Sequence, residues 1–418
     1  MAIAAGVLLV GAFLATYNHG TKVLSFAIGA AAALILVQFN GVHLYTLLVI
    51  LYVAIAKYTR ARVMGRLIFL VAAAAIFAST VWFGALVRTD GLAIQLMLLS
   101  ITTALFVLRS VDHELVIARL GLLTAVTVGS LTAIAQAVGI LPEQLFQLAN
   151  AELHRPSGFY PEPDWLGLYS AAGLVLAVTT KSLRMRTQVA LIAINAAGVM
   201  LSSARAAFLS LAVVALWAMI RGFRGRRKRI RRQGSAKRSL AIVGLGGSIL
   251  ALIVFPVEVE ILLTRLSSAV GAGDHATRTR LNQFDGLISL IETAPFYGHG
   301  ITASGRVNGL GQIDYSSNTV GTTGSNWLLS VIGEGMLLAV PLIIVLAVLA
   351  LFGNARLGSG LLLLVLVNSL FSNAMYFPLT WFAIALALVP ASVETEDPEP
   401  ALHNRAPGSR LPQPFELA

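Results

Sequence analysis

Apolar residues in this chain fall in long unbroken runs, at 3 to 16, 22 to 39, 41 to 56, 67 to 87, 91 to 108, 115 to 140, 165 to 180, 187 to 203, 206 to 220, 239 to 257, 327 to 352 and 361 to 389. A helix needs about 17 to 25 apolar residues to cross the bilayer hydrocarbon, and in lipid only helices and closed barrels satisfy their own backbone groups. Barrel strands alternate apolar and polar residues, and these runs do not. The pattern predicts an all-α, polytopic helical membrane protein with about twelve transmembrane helices, eleven to thirteen counting the uncertain ends. They form one transmembrane domain over residues 1–390. The run 361 to 389 is long for one helix, and Asn368, Ser369, Ser372 and Asn373 mark where it would break into two. The first run has no basic segment before it and no clear cleavage site, so it reads as a retained membrane segment. Residues 391–418, Pro-rich and without apolar period, read as a disordered tail.

Composition excludes the soluble alternative. Hydrophobic residues make up 57% of the chain and charged ones 12%, where a soluble domain carries about 25% charge. Mean hydropathy is +0.81. Cysteine is absent, which removes disulfides, thiolate metal sites, iron–sulfur clusters and thiol nucleophiles.

The net charge of +11 belongs to the membrane rather than to nucleic acid. Of the 30 Lys and Arg, 17 lie in three interhelical loops, Lys57 to Arg66, Lys181 to Arg186 and Arg221 to Arg238. Basic loops of this kind are retained on the cytoplasmic side, against acidic inner-leaflet lipid. Four runs separate the first loop from the second and two separate the second from the third; both counts are even, so all three share that side. Residues 142–164, the 203–205 turn and the long 258–326 loop then face outward, and together with the turn at Asp90 they hold more than half of the acidic residues.

The outer loop 258–326 carries the candidate chemistry, because connections of that length are functional or disordered. In TRTRLNQFDGLISLIETAP, Leu281, Phe284, Leu287, Ile288 and Ile291 keep a 3.6-residue period, and Pro295 ends the segment. This predicts an amphipathic helix on the outer membrane surface. His299 follows in the Gly-flanked turn FYGHG and is a candidate base. Arg278 and Arg280 open the helix, where a cation opposes the macrodipole and calls for an anionic partner. Arg155 and Arg205 lie on the same side, with Glu162, Asp274 and Asp285 as partners for any of the four.

The order RPSGFYPEPDWLGLY, SSARAAFLSL, RLNQFDGLISLIETAPFYGHGI, SNWLLSVIGEGML resembles the core of the O-antigen ligase and O-antigen polymerase (Wzy/WaaL-like) superfamily over residues 150 to 340. The resemblance implies a membrane glycosyltransferase of the cytoplasmic (inner) membrane. It would move a glycan from a polyprenyl (undecaprenyl) diphosphate carrier to a hydroxyl of a glycan or lipid-glycan acceptor, in an outer-face pocket. It implies that Arg155, Arg205 and Arg280 face the diphosphate, with Tyr160, Glu162, Arg278, Ser325 and Asn326 as substrate-binding positions. Ligases of the family typically have His directly before the Asn corresponding to Asn326, and this chain has Ser325. A serine hydroxyl is a poor base near neutral pH, so the departure favours a polymerase over a ligase and leaves the base to His299, His275, Glu292 or Asp314.

Guanidinium groups suit the departing diphosphate, being always charged and bidentate. No metal cluster or cofactor is expected, and GLGG at Gly244 to Gly247 lies inside an apolar run and reads as helix packing. A secondary transporter or flippase is the rival reading, and a peptidoglycan-type glycan polymerase a closer one. Transporters concentrate ionisable residues near the bilayer midplane, whereas here the polar residues gather in one outer loop.

Overall fold

The computed structural model describes residues 19–57, 63–83, 90–142, 155–180, 183–225, 275–314, 324–353 and 356–389. The first apolar run, the run 239 to 257, most of the third basic loop, residues 258–274 of the outer loop and the tail lie outside these residues.

The chain is an all-α membrane protein. In chain order the helices are α1 (Gly20–Ala31), α2 (Leu44–Ile55), α3 (Met64–Ala78), α4 (Asp90–Arg109), α5 (Asp112–Ala137), α6 (Pro163–Thr179), α7 (Met185–Ser202), α8 (Arg205–Gly225), α9 (His275–Glu292), α10 (Trp327–Gly335), α11 (Val340–Phe352), α12 (Arg356–Asn368) and α13 (Pro378–Leu388). The described strands, β1 (Gln38–Phe39) and β2 (Val42–His43), form one small antiparallel hairpin. Among the described residues, four helices are long and apolar enough to cross a membrane: Met64–Phe83, Gly91–Arg109, Asp112–Ala137 and Met185–Ser202.

Three boundaries differ from the apolar runs. The run 22 to 39 stops being helical after Ala31, because the next residues turn into the hairpin, with Asn40 and Gly41 both at positive φ. The run 327 to 352 is two helices separated by a 3₁₀ turn over Met336–Leu338, with Met336 at φ 45°. The break within 361 to 389 falls where the polar residues stand: α12 ends at Asn368 and α13 starts at Pro378, whose ring pre-sets the first helical turn.

Small residues bring the helices together. At Gly29 of α1 an added Cβ would lie 1.7 Å from the Ala118 carbonyl oxygen, and at Gly121 of α5 one would lie 2.0 Å from that of Phe26. Backbone thus meets backbone, which in lipid is how helices gain contact without a hydrophobic drive between them. Further along, the Ser130 hydroxyl lies 2.8 Å from that of Ser170 and donates to Asn195 Oδ1 at 3.2 Å, while Asn195 Nδ2 donates to Thr127 at 3.0 Å. These bonds tie α5, α6 and α7 at one level and fix their rotation. α9 joins the bundle differently: Leu287 and Leu290 are buried with Ala303 and Val307 in a small separate core.

Candidate functional site: an apolar cavity with an arginine rim

The site begins where the chain enters α6. Gln136, near the end of α5, holds the approach: its Oε1 accepts from the amides of Ser157 (3.2 Å) and Gly158 (2.8 Å), and its Nε2 donates to the Gly158 carbonyl at 3.1 Å. Gly158 has φ 64°, and an added Cβ would meet the Gly129 carbonyl oxygen at 2.5 Å, so glycine is required there twice over. Tyr160 turns inward, is fully buried and stacks on Tyr169 at 4.6 Å. The position expected to bind substrate is therefore part of the scaffold beneath the site.

α6 opens with Glu162 as its N-cap residue, Pro163 in its first turn and Asp164 next, an arrangement the macrodipole favours. The Asp164 carboxylate bridges two arginines. Arg155 Nη2 lies 3.3 Å from Oδ1, and Arg280 Nη2 lies 2.8 Å from Oδ2. Arg155, almost wholly buried, also donates through Nη2 to the carbonyl of Ser202, the last residue of α7. Three residues further on, after Ser203 at φ 48°, Arg205 begins α8. Asp164, which sequence reasoning passed over, is thus a shared partner of Arg155 and Arg280.

Arg205 and Arg280 line one cavity of about 730 Å³. The remaining walls are mainly apolar: Ala206 and Leu209 of α8, Leu281 and Phe284 of α9, Leu328 and Leu329 of α10, and Leu370 and Phe371 after α12, with Ser325 and Asn326 among them. Leu209, Leu281, Phe284 and Phe371 are exposed, so the apolar surface continues outward from the cavity. α9 uses its two halves differently. Leu281 and Phe284 face the cavity while Leu287 and Leu290 are buried; between them stands Gly286, where an added Cβ would meet the Gly311 carbonyl oxygen at 2.4 Å. The apolar period of α9 is therefore not one lipid-facing stripe.

Asn326 lines the cavity, but its Oδ1 is engaged as the α10 cap, accepting from Leu328 N at 3.0 Å and Leu329 N at 3.1 Å. Ser325 lines it without such a task. His299 is not among the lining residues. Its amide donates to the Gly333 carbonyl at 3.1 Å and its Nε2 lies 3.2 Å from the Thr293 hydroxyl; partial burial lowers its pKa, which keeps the ring neutral near pH 7. The side chains of Arg278 and His275 lie outside the described residues.

Electrostatics separate the two carboxylates. Burial alone works against the Asp164 charge, but Arg155 and Arg280 outweigh it and hold the carboxyl below the ordinary Asp value. Glu162 moves the other way: packed neighbours strip part of its hydration and the negative Asp164 repels its charge, so its carboxyl rises, against the pull of Arg280 and Arg155.

Glu334 is the other residue that sequence reasoning missed. It is fully buried, and its Oε1 accepts from the Ser304 hydroxyl (2.5 Å), Thr302 N (3.1 Å) and Ser304 N (3.4 Å), while the Tyr376 hydroxyl lies 3.5 Å from Oε2. It pins the 298–306 segment of the outer loop to α10. A visible signal was present, in that a carboxylate within the apolar run VIGEGML needs buried donors.

Among the described residues there is no group of three or more His, Cys, Asp or Glu placed to hold a metal ion. Fold and site together define an all-α membrane protein with an arginine-rimmed apolar cavity. A scan against protein-family models found no match, and neither did a search of curated proteins.

Proposed function

We propose that this protein is a multi-pass enzyme of the cytoplasmic membrane that transfers a glycan from a polyprenyl diphosphate carrier to an acceptor hydroxyl at the outer face, in the manner of O-antigen polymerases and ligases. The observation that carries the reading is that Arg205 and Arg280, distant in sequence, line one apolar cavity. A carrier lipid is itself an anionic group on an apolar chain, and a cavity with guanidiniums among apolar walls complements both parts. Arg155 shares the Asp164 carboxylate with Arg280, which supports grouping it with the two arginines of the cavity.

About twelve crossings with the basic loops inside are part of this proposal. Helix ends that the crossing count assigns to the cytoplasm meet one another: Arg109 donates to the Ala56 carbonyl at 3.2 Å, Arg119 to the Thr180 hydroxyl at 3.4 Å, and Arg221 to the Gly353 carbonyl at 3.0 Å. The cavity residues lie at the ends assigned outward.

In the reaction, the acceptor oxygen attacks the anomeric carbon while the bond to the diphosphate breaks, and the departing charge is met by the arginines. Such preorganised donors are strongest where water is excluded. With Ser325 in place of the ligase histidine, polymerase activity is the preferred form. Mass analysis of carrier-linked glycans in cells lacking the protein tests this: single repeats on the carrier indicate a lost polymerase, full-length chains indicate a lost ligase, and an unchanged carrier pool rejects the reading.

A further inference from the structure

Gly324 stands immediately before the polar part of the cavity wall, and its place is set from behind that wall. Its amide donates to the Ser304 hydroxyl oxygen at 2.9 Å. An added Cβ would meet Ser330 Oγ at 2.5 Å, Ser304 Cβ at 3.0 Å and Leu287 Cδ2 at 3.1 Å. The 298–306 segment, the buried half of α9 and α10 therefore all close on this glycine. The next two residues, Ser325 and Asn326, are the polar lining of the cavity apart from Arg205 and Arg280. Beyond them the Trp327 amide donates to the Ser369 carbonyl at 2.9 Å, so this stretch of wall is tied on both sides.

The tie at Gly324 depends on a residue outside the cavity. A hydroxyl has one hydrogen to give, and Ser304 gives its own to Glu334 Oε1 at 2.5 Å. Its oxygen is then directed as an acceptor toward Gly324. The amides of Thr302 and Ser304 hold the same Oε1 in place, at 3.1 Å and 3.4 Å. Without an accepting oxygen at 334 the Ser304 hydroxyl turns its hydrogen elsewhere, and Gly324 loses its directed partner.

We infer that Glu334 is a positioning residue for the transfer: through the Ser304 hydroxyl it fixes Gly324, and with it the Ser325–Asn326 wall against which the acceptor sugar is held. The inference rests on the proposed transfer reaction. Glu334 is fully buried and is not among the lining residues, so it acts at one remove. The diphosphate is met by Arg205 and Arg280, and neither takes part in this chain of bonds. Loosening Gly324 therefore disturbs the acceptor more than the carrier, and a displacement of about 1 Å at a reacting group can cost on the order of 100-fold in rate.

The test uses the full-length protein in liposomes, with undecaprenyl diphosphate as the binding probe and the lipid-linked repeat from the native cells as the transfer substrate. Ser304→Ala cuts the chain at its middle and leaves the backbone amides of residues 302 and 304 on Glu334. It is expected to keep its affinity for undecaprenyl diphosphate while kcat per folded molecule falls on the order of 10- to 100-fold. Glu334→Met fills the space without an accepting oxygen and should lose as much, and the double variant no more than either, because both substitutions break one chain. Glu334→Gln keeps an acceptor oxygen and should recover most of the rate. A merely structural part would lower the melting midpoint and leave kcat per folded molecule unchanged. Ser304→Ala with wild-type kcat, or losses that multiply in the double variant, would overturn the assignment; should Glu334→Met not fold, Ser304→Ala decides alone. Wild-type protein that neither binds the diphosphate nor consumes the lipid-linked repeat would instead overturn the transferase reading, and the positioning role with it.

Discussion

Arg280 meets Asp164 across 116 residues of chain, Nη2 to Oδ2 at 2.8 Å, and the opposite oxygen of that carboxylate takes Arg155. One acid therefore orients two guanidiniums from different parts of the molecule. The Arg280 and Asp164 side chains are 42% and 39% exposed, so the pair stabilises the fold by less than about 1 kcal/mol. Its importance lies in geometry.

If the arginines grip a diphosphate, Arg205→Lys should fail almost as badly as Arg205→Ala. Lysine keeps the charge but loses the planar fork that matches two phosphate oxygens. The expected loss is on the order of 100- to 1000-fold in turnover at matched membrane abundance. Arg186→Lys, on an exposed residue at the start of α7, should transfer normally. Near-normal turnover by Arg205→Lys would remove the diphosphate grip.

Asp164 carries a pH signature. Its folded carboxyl is depressed, so its contribution is complete above the ordinary Asp value and disappears as pH falls through the lowered one. Thermal melting in detergent should show an acid-side decline below about pH 4 that Asp164→Asn makes shallower. Equal acid slopes in the two proteins would mean that the bridge contributes nothing to the fold in solution.

Glu334→Ala leaves the Ser304 hydroxyl and the amides of Thr302 and Ser304 without their acceptor. Buried donors left so cost about 1 to 3 kcal/mol each, and the melting midpoint should fall by several degrees. Glu334→Gln retains an acceptor oxygen and should fall less. Equal midpoints for both variants and the wild type would show that the loop is held by other contacts.

The proposed sidedness is open to labelling, since the chain has no cysteine of its own. Leu310→Cys, at a position 72% exposed, should react with an impermeant maleimide on intact cells, and Arg186→Cys should react only after permeabilisation. The reverse pattern would invert the topology.

Local physics made much of the fold legible. Polar residues in an apolar run located the gap between α12 and α13, and the 3.6-residue period located α9 to within a few residues. The hairpin after α1 was hidden because Leu34, Ile35, Leu36 and Val37 are as apolar as the helix before them. In the site, the arginines were visible from helix starts and from the family resemblance. Asp164 was not, since its worth depends on Arg280 arriving from another segment. Tyr160, a substrate-binding position by the resemblance, is a fully buried ring, and nothing local in the sequence distinguishes a ring in the scaffold from one beside a cavity.

Mechanically, α9 is a cantilever. Its second half is embedded through Leu287 and Leu290 with backbone contact at Gly286, and its first half overhangs the cavity with Arg280 near the tip. Six residues of helix make an arm of about 9 Å, so a tilt of about 6° at Gly286 carries the arm at Arg280 through about 1 Å, a misplacement of the size that can cost on the order of 100-fold in rate. A side chain at Gly286, remote from any bond that breaks, would lever the guanidinium off its target.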